Sequence, residues 1–255
     1  MTRAEPLLAL KGVSKAFAGV QAVRGVSLDV PAGTVVGIMG PNGSGKTTLF
    51  NLIAGVFRPD GGRIRLRGRD VTRLPPHRRC AHGIARTFQH VRPFPGLTAI
   101  DNVLVGLLHG RLRGNGRDSE RAAARFLALV GLDAKAQFMA TRLSLIEQRR
   151  LELARALATG ADLLLLDEFM AGLTPAETAD AMEVIRRVRG EGTTLLIVEH
   201  IVWALLDLSD RIVVLSAGEK IADGAPAAVA VDPAVVDAYL GRGGSGRSTG
   251  SRADA

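Results

Sequence analysis

Two adjoining stretches decide the fold: the apolar run Thr34-Val-Val-Gly-Ile-Met39, and Gly40-Pro41-Asn42-Gly43-Ser44-Gly45-Lys46-Thr47-Thr48 directly after it. The second satisfies G-x-x-x-x-G-K-[ST] at each fixed position. The context agrees, with a β-branched run before the turn and a helical pattern from Lys46 to Ala54 after it. In that arrangement successive backbone N–H groups and the positive end of the helix converge on a polyphosphate. Lys46 is then placed to reach the β- and γ-phosphates and the Thr47 hydroxyl to ligate Mg2+. An ordinary Gly-rich turn opening a helix has no use for a lysine and two threonines at these offsets.

A second acidic element belongs with the loop. The run Leu163-Leu-Leu-Leu-Asp167-Glu168 sets two carboxylates at the end of a strand, where one can hold the Mg2+ shell and the other polarise a water. Asp167 is the metal-side residue and Glu168 the general base. No Asn-Lys-x-Asp sequence for reading guanine occurs in the chain, so ATP is favoured over GTP.

Working outward, Leu7–Phe17, Ala22–Val30, Arg63–Arg67, Ile84–Gln89, Thr193–Glu199 and Arg211–Ser216 read as strands. The early ones are joined by turn-length gaps, as in an antiparallel sheet. The later apolar runs are separated by helix-length segments, the signal of a parallel sheet buried on both faces. Between about Pro93 and Thr159 helical patterns take over, at Asp101–His109, Ser119–Val130 and Glu147–Ala158. The expected class is therefore α/β: a P-loop NTPase core with a mixed, mainly parallel sheet, an antiparallel β lobe and an inserted helical subdomain. Residues 1–240 form one nucleotide-binding domain. Residues 241–255, GRGGSGRSTGSRADA, have no apolar periodicity and read as a disordered tail.

Composition bounds the rest. The chain has 255 residues, 47% of them hydrophobic and 23% charged, within the range of soluble globular proteins. No run approaches the ~18 apolar residues of a membrane span, and the start MTRAEPLLALKG lacks the apolar core of a secretory signal. One cysteine, Cys80, excludes a disulfide framework. The net charge of +8 is carried mostly by arginine. The clusters Arg111, Arg113, Arg117, Arg121 and Arg242, Arg247, Arg252 have no interleaved aromatics to stack on bases, so no nucleic-acid partner is expected.

Further residues match in order, and with them the chain resembles the ATP-binding subunit of ABC transporters from about Leu7 to Leu240. Gln89 in RTFQ resembles the Q-loop glutamine, which in that family contacts Mg2+ and moves with the membrane partner. Leu143-Ser144-Leu145-Ile146-Glu147-Gln148 sits where the family carries its LSGGQ or LSYGEQ signature. Ala171–Thr174 is similar to the D-loop, His200 to the switch histidine on the γ-phosphate, and Phe17 to the aromatic that stacks on adenine. Gly83–Val103, the Glu199-His200 pair and the ending DAYLG at Asp237–Gly241 are similar to the importers of branched-chain amino acids. The resemblance implies a second ATPase subunit, transmembrane permease subunits, a solute-binding protein acting through them, and a place on the cytoplasmic face of the membrane. Residues of this kind also have local explanations. Ser144 with Glu147, and Thr174 with Glu177, form capping boxes that need no nucleotide. A soluble ABC ATPase acting on nucleic acid, or a regulatory subunit with little turnover, remains an alternative.

One departure stands out. The signature glycine is replaced by Ile146, and in the family its N–H approaches the γ-phosphate bound on the opposite subunit. A β-branched side chain there is expected to impair the site holding the partner's ATP while sparing this chain's own. Phe169 and Ile201 are lesser departures beside the catalytic carboxylate and the histidine.

Overall fold

Three apolar runs, Val35–Met39, Leu163–Asp167 and Thr194–Val198, are buried at every position, which only a sheet covered on both faces allows. The computed structural model describes residues 5–88, 91–112 and 117–240. Its strands are β1 (Leu8–Phe17), β2 (Val20–Val30), β3 (Val35–Met39), β4 (Gly61–Leu66), β5 (Arg69–Asp70), β6 (Ile84–Arg86), β7 (Leu163–Asp167), β8 (Thr194–Val198), β9 (Arg211–Ser216) and β10 (Glu219–Gly224). Its α-helices are α1 (Lys46–Ala54), α2 (Pro76–Ala81), α3 (Ala99–His109), α4 (Arg117–Leu129), α5 (Leu145–Ala158), α6 (Pro175–Gly190), α7 (Val202–Leu208), α8 (Pro226–Ala230) and α9 (Pro233–Leu240).

The strands form two sheets. One is antiparallel, in the order β2-β1-β4-β5; the other has six strands in the order β10-β9-β3-β8-β7-β6. In the latter β3, β6, β7, β8 and β9 run parallel and only β10 is antiparallel, on β9. Alternation along β7 divides the core. Leu163 and Leu165 join the cluster packed on α1 and the antiparallel sheet, whereas Leu164 and Leu166 join the cluster packed on α3, α5 and α6. Each face of one leucine run thus supports a different layer.

Helix α1 and strands β7 and β9 begin and end at the residues expected from the sequence. Elsewhere the ends shift for local reasons. Helix α5 begins at Leu145 rather than Glu147, because Ser144 caps it in a complete capping box with Glu147. Helix α3 begins at Ala99, capped by Thr98, which accepts from the Asp101 amide. Strand β4 runs over Gly61–Leu66 rather than Arg63–Arg67, because Arg67 has a φ of 47° and turns the chain into β5. Strand β6 ends at Arg86, short of the expected Gln89, which lies outside the described residues, as does the segment 241–255.

Candidate functional site

The order of the large sheet brings four chain segments together. Strand β3 lies between β9 and β8, and β7 lies between β8 and β6. Because these strands are parallel, their carboxyl ends share one edge, the usual place for a ligand in such sheets. That edge carries the loop after β3, Asp167 and Glu168 at the end of β7, Glu199 and His200 after β8, and Arg86 on β6.

The loop wraps closely because two of its glycines cannot be replaced by larger residues. Gly40 has a φ of 148°, and a Cβ there would lie 2.1 Å from the Leu215 carbonyl oxygen. Gly45 caps α1 with a φ of 102°, and its Cβ would lie 2.4 Å from the Ala22 carbonyl oxygen. No side chain caps α1 and no acidic residue occupies its first turn. Its first N–H groups and positive dipole end are therefore available to an anion. Lys46 is buried, and its Nζ donates to the carbonyls of Gly40 at 2.7 Å and Pro41 at 3.0 Å. Burial lowers its pKa, and the charges of Glu168 and Asp167 offset part of that.

A cavity of about 200 Å3 opens at this loop, lined by Ala22, Asn42 through Thr48, Glu168 and His200. Glu168 has a φ of 51°, a rare conformation for a residue with a side chain, of the kind that clusters at functional sites. Its Oε1 lies 2.8 Å from His200 Nε2. Asp167 is buried, and Arg86 donates to its Oδ2 at 2.6 Å and to Asn51 Oδ1 at 2.5 Å. The guanidinium of Arg86 also lies over the rings of Phe50 and Phe88. Glu199 is buried beneath the site, where its Oε1 accepts from the Met170 amide at 2.7 Å. Burial raises its pKa to about 7, against hydrogen bonds from the Met170 and His200 amides.

Of the expected residues, Gly40, Pro41 and Asp167 border the cavity without lining it, Asp167 being bound to Arg86, and Phe17 and the signature residues lie away from it. Phe17 is 40% exposed and packs edge-on against Phe57, with ring centroids 5.1 Å apart. Ser144, Ile146, Glu147 and Gln148 sit at the start of α5, away from the cavity lining. Ile146 is partly buried against the core, Glu147 pairs with Lys135 at 2.5 Å, and Gln148 Nε2 donates to the Leu143 carbonyl at 2.9 Å. Farther along α5, Arg149 donates to the carbonyls of Glu168 and Phe169, and Arg155 donates to the Arg92 carbonyl at 2.8 Å. Sequence reading missed the roles of Arg86, Arg149 and Glu199, since each acts through a partner far away in the chain.

An ABC transporter family model matches residues 23–171. The chain belongs to the ABC transporter family. A second model, described as the branched-chain amino acid ATP-binding cassette transporter, matches residues 219–245. The cassette is 40% identical over 250 residues to the high-affinity branched-chain amino acid transport ATP-binding protein BraF of Pseudomonas aeruginosa, covering 92% of this chain and 98% of that one. It is 39% identical over 252 residues to LivG of Escherichia coli, covering 93% and 98%. Among solved structures it resembles an ATP-binding cassette of an ABC transporter in its ADP conformation, with a TM-score of 0.84, 31% identity, and coverage of 92% of this chain and 98% of that one. A dimeric cassette bound to ADP and Pi is also similar, with a TM-score of 0.76, 27% identity, and coverage of 86% and 98%. The cassette is thus an ABC ATPase with the expected P-loop α/β fold. Among its described residues no helix is long and apolar enough to cross a membrane.

Proposed function

We propose that this cassette is one of two ATPase subunits that drive uptake of branched-chain or related amino acids, held against permease subunits at the cytoplasmic face of the membrane. The observation that carries the reading is 40% identity to BraF across 92% of this chain. A solute-binding protein would act through the permeases, and Gln89 to Val103 would relay closure of the two ATPase subunits to them.

In this reading, Gly40, Pro41, Asn42, Gly43, Ser44, Gly45 and Thr48 cradle the triphosphate, Lys46 turns from its carbonyl partners onto the phosphates, and Phe17 stacks on adenine. Mg2+ suits the oxygen donors of the site: the Thr47 hydroxyl, the Asp167 carboxylate and Gln89. The buried Ser44 hydroxyl in the same cradle has no hydrogen-bond partner among the described residues. Mg2+ neutralises charge on the phosphates when bound. Glu168 takes a proton from water as its oxygen bonds to the γ-phosphorus and the bond to the β-bridging oxygen breaks. His200 holds Glu168 in place and orients the γ-phosphate. Arg86 fixes the Asp167 carboxylate by binding one of its oxygens.

Ser144, Ile146, Glu147 and Gln148 would face ATP held by the second subunit, so a heterodimer would have one competent site and one impaired by Ile146. The overall reading is tested by deleting the gene and measuring uptake of labelled leucine, isoleucine and valine. Loss of uptake that is restored by the wild-type gene and not by its Glu168→Gln form is expected. Unchanged uptake would overturn the assignment.

A further inference from the structure

Tyr239, the chain's single tyrosine, lies in α9 near the far end of the described chain, yet its hydroxyl accepts the backbone N–H of Gly40 at 2.7 Å. The carbonyl of that same glycine accepts from Lys46 Nζ at 2.7 Å. Both hydrogen-bonding groups of the first loop residue are therefore held, one from within the loop and one from 199 residues away.

The loop also rests on the hairpin leading into this C-terminal segment. The Leu215 carbonyl oxygen closes off the space beside the Gly40 Cα, and the Gly218 amide donates to the Ser44 carbonyl at 3.1 Å. Val235 anchors α9 in the core at 5% exposure, while Tyr239 remains 42% exposed. The ring is thus not core filling. What the tyrosine adds over any other aromatic is the oxygen that satisfies the Gly40 amide.

We infer that Tyr239 is a positioning residue for the phosphate loop, coupling the docking of α9 to nucleotide binding. This rests on the reading of residues 40–48 as a nucleotide cradle. Coupling between two sites is reciprocal: if a docked α9 steadies the loop, an occupied loop steadies α9. A loop glycine that loses its partner must find water or shift, and removing one neutral hydrogen bond changes an equilibrium by about two- to twelvefold.

The test compares the full-length chain with its Tyr239→Phe variant, which keeps the ring. A fluorescent ATP analogue with Mg2+ measures affinity, and tyrosine labelled with carbon-13 at the ζ carbon gives one NMR resonance that reports on the hydroxyl directly. Binding of Mg-ADP should move that resonance, and Tyr239→Phe, still folded with a single cooperative melting transition, should bind the analogue about two- to twelvefold more weakly. Equal affinity in the two proteins, or a resonance indifferent to saturating Mg-ADP, would overturn the inference while leaving the ATPase reading intact. Failure of the unaltered chain to bind any nucleotide would instead remove the ATPase reading and this inference with it.

Discussion

His200 Nε2 and Glu168 Oε1 lie 2.8 Å apart at the ends of neighbouring strands, so the imidazole and the carboxylate form one hydrogen-bonded unit at the rim of the cavity. A carboxylate held this way is aimed before substrate arrives. Changing Glu168→Gln preserves its size and one acceptor while removing the base. Turnover is expected to fall by about 10²- to 10⁴-fold, with affinity for the ATP analogue retained. Phosphate release by the assembled transporter measures the first effect, and a Glu168→Gln protein that turns over normally would dismiss Glu168 as the base.

Breaking the Arg86–Asp167 pair should be costly. Both side chains are at least nine-tenths buried, at 10% and 5% exposure, and removing one partner leaves a charge stranded in the interior. Arg86→Met is expected to destabilise the chain by about 3–5 kcal/mol. Urea unfolding of the variant beside wild type checks this, and coincident curves would mean that the pair contributes nothing.

Stability should decline as pH rises from about 5 to 8. Burial raises Glu152 and Glu199 from the usual glutamate 4.5 to about 7, so the folded chain keeps protons that the unfolded chain has already released. Where the folded state binds more protons, raising the pH favours unfolding. Melting temperatures across this range should fall for wild type and fall less for Glu152→Gln. Parallel profiles would show that Glu152 has the same pKa in the folded and unfolded chain.

Ile146→Gly sets two effects against each other. The side chain packs partly on the core, and glycine in the first turn of α5 costs about 1 kcal/mol, so the variant should melt lower. If the isoleucine keeps the partner's γ-phosphate from the helix amide, single-turnover hydrolysis and dimer affinity should nevertheless rise, by about ten- to a hundredfold for a regained hydrogen bond to a charged group. A less stable protein with unchanged hydrolysis and dimer affinity would refute the steric account.

Local chemistry made part of this structure legible and long-range chemistry hid the remainder. The limits of α1 follow from Gly45 before it and Gly55 after it, both in left-handed conformations that stop a helix. Strand β10 reads Glu219-Lys-Ile-Ala-Asp-Gly224, too polar to announce itself, and exists because it pairs with β9. Helices α8 and α9 each open on a proline and are short, so they carry little periodic signal. At the site, the loop, Asp167 and Glu168 were readable because each fits a local pattern. Arg86 looked like any strand residue, and its bond to Asp167 spans 81 positions that only the sheet order brings together.

Helix α5 acts as a mechanical shaft with three fixed bearings. Its head is pinned by the Ser144 box, Arg149 grips the two peptide carbonyls beside the cavity's carboxylate, and Arg155 holds the segment near Phe94. From Arg149 to Arg155 the shaft advances only about 9 Å. One unbroken helix thus sets the spacing between the backbone beside the cavity's carboxylate and the segment at Arg92, because both are tied to it directly.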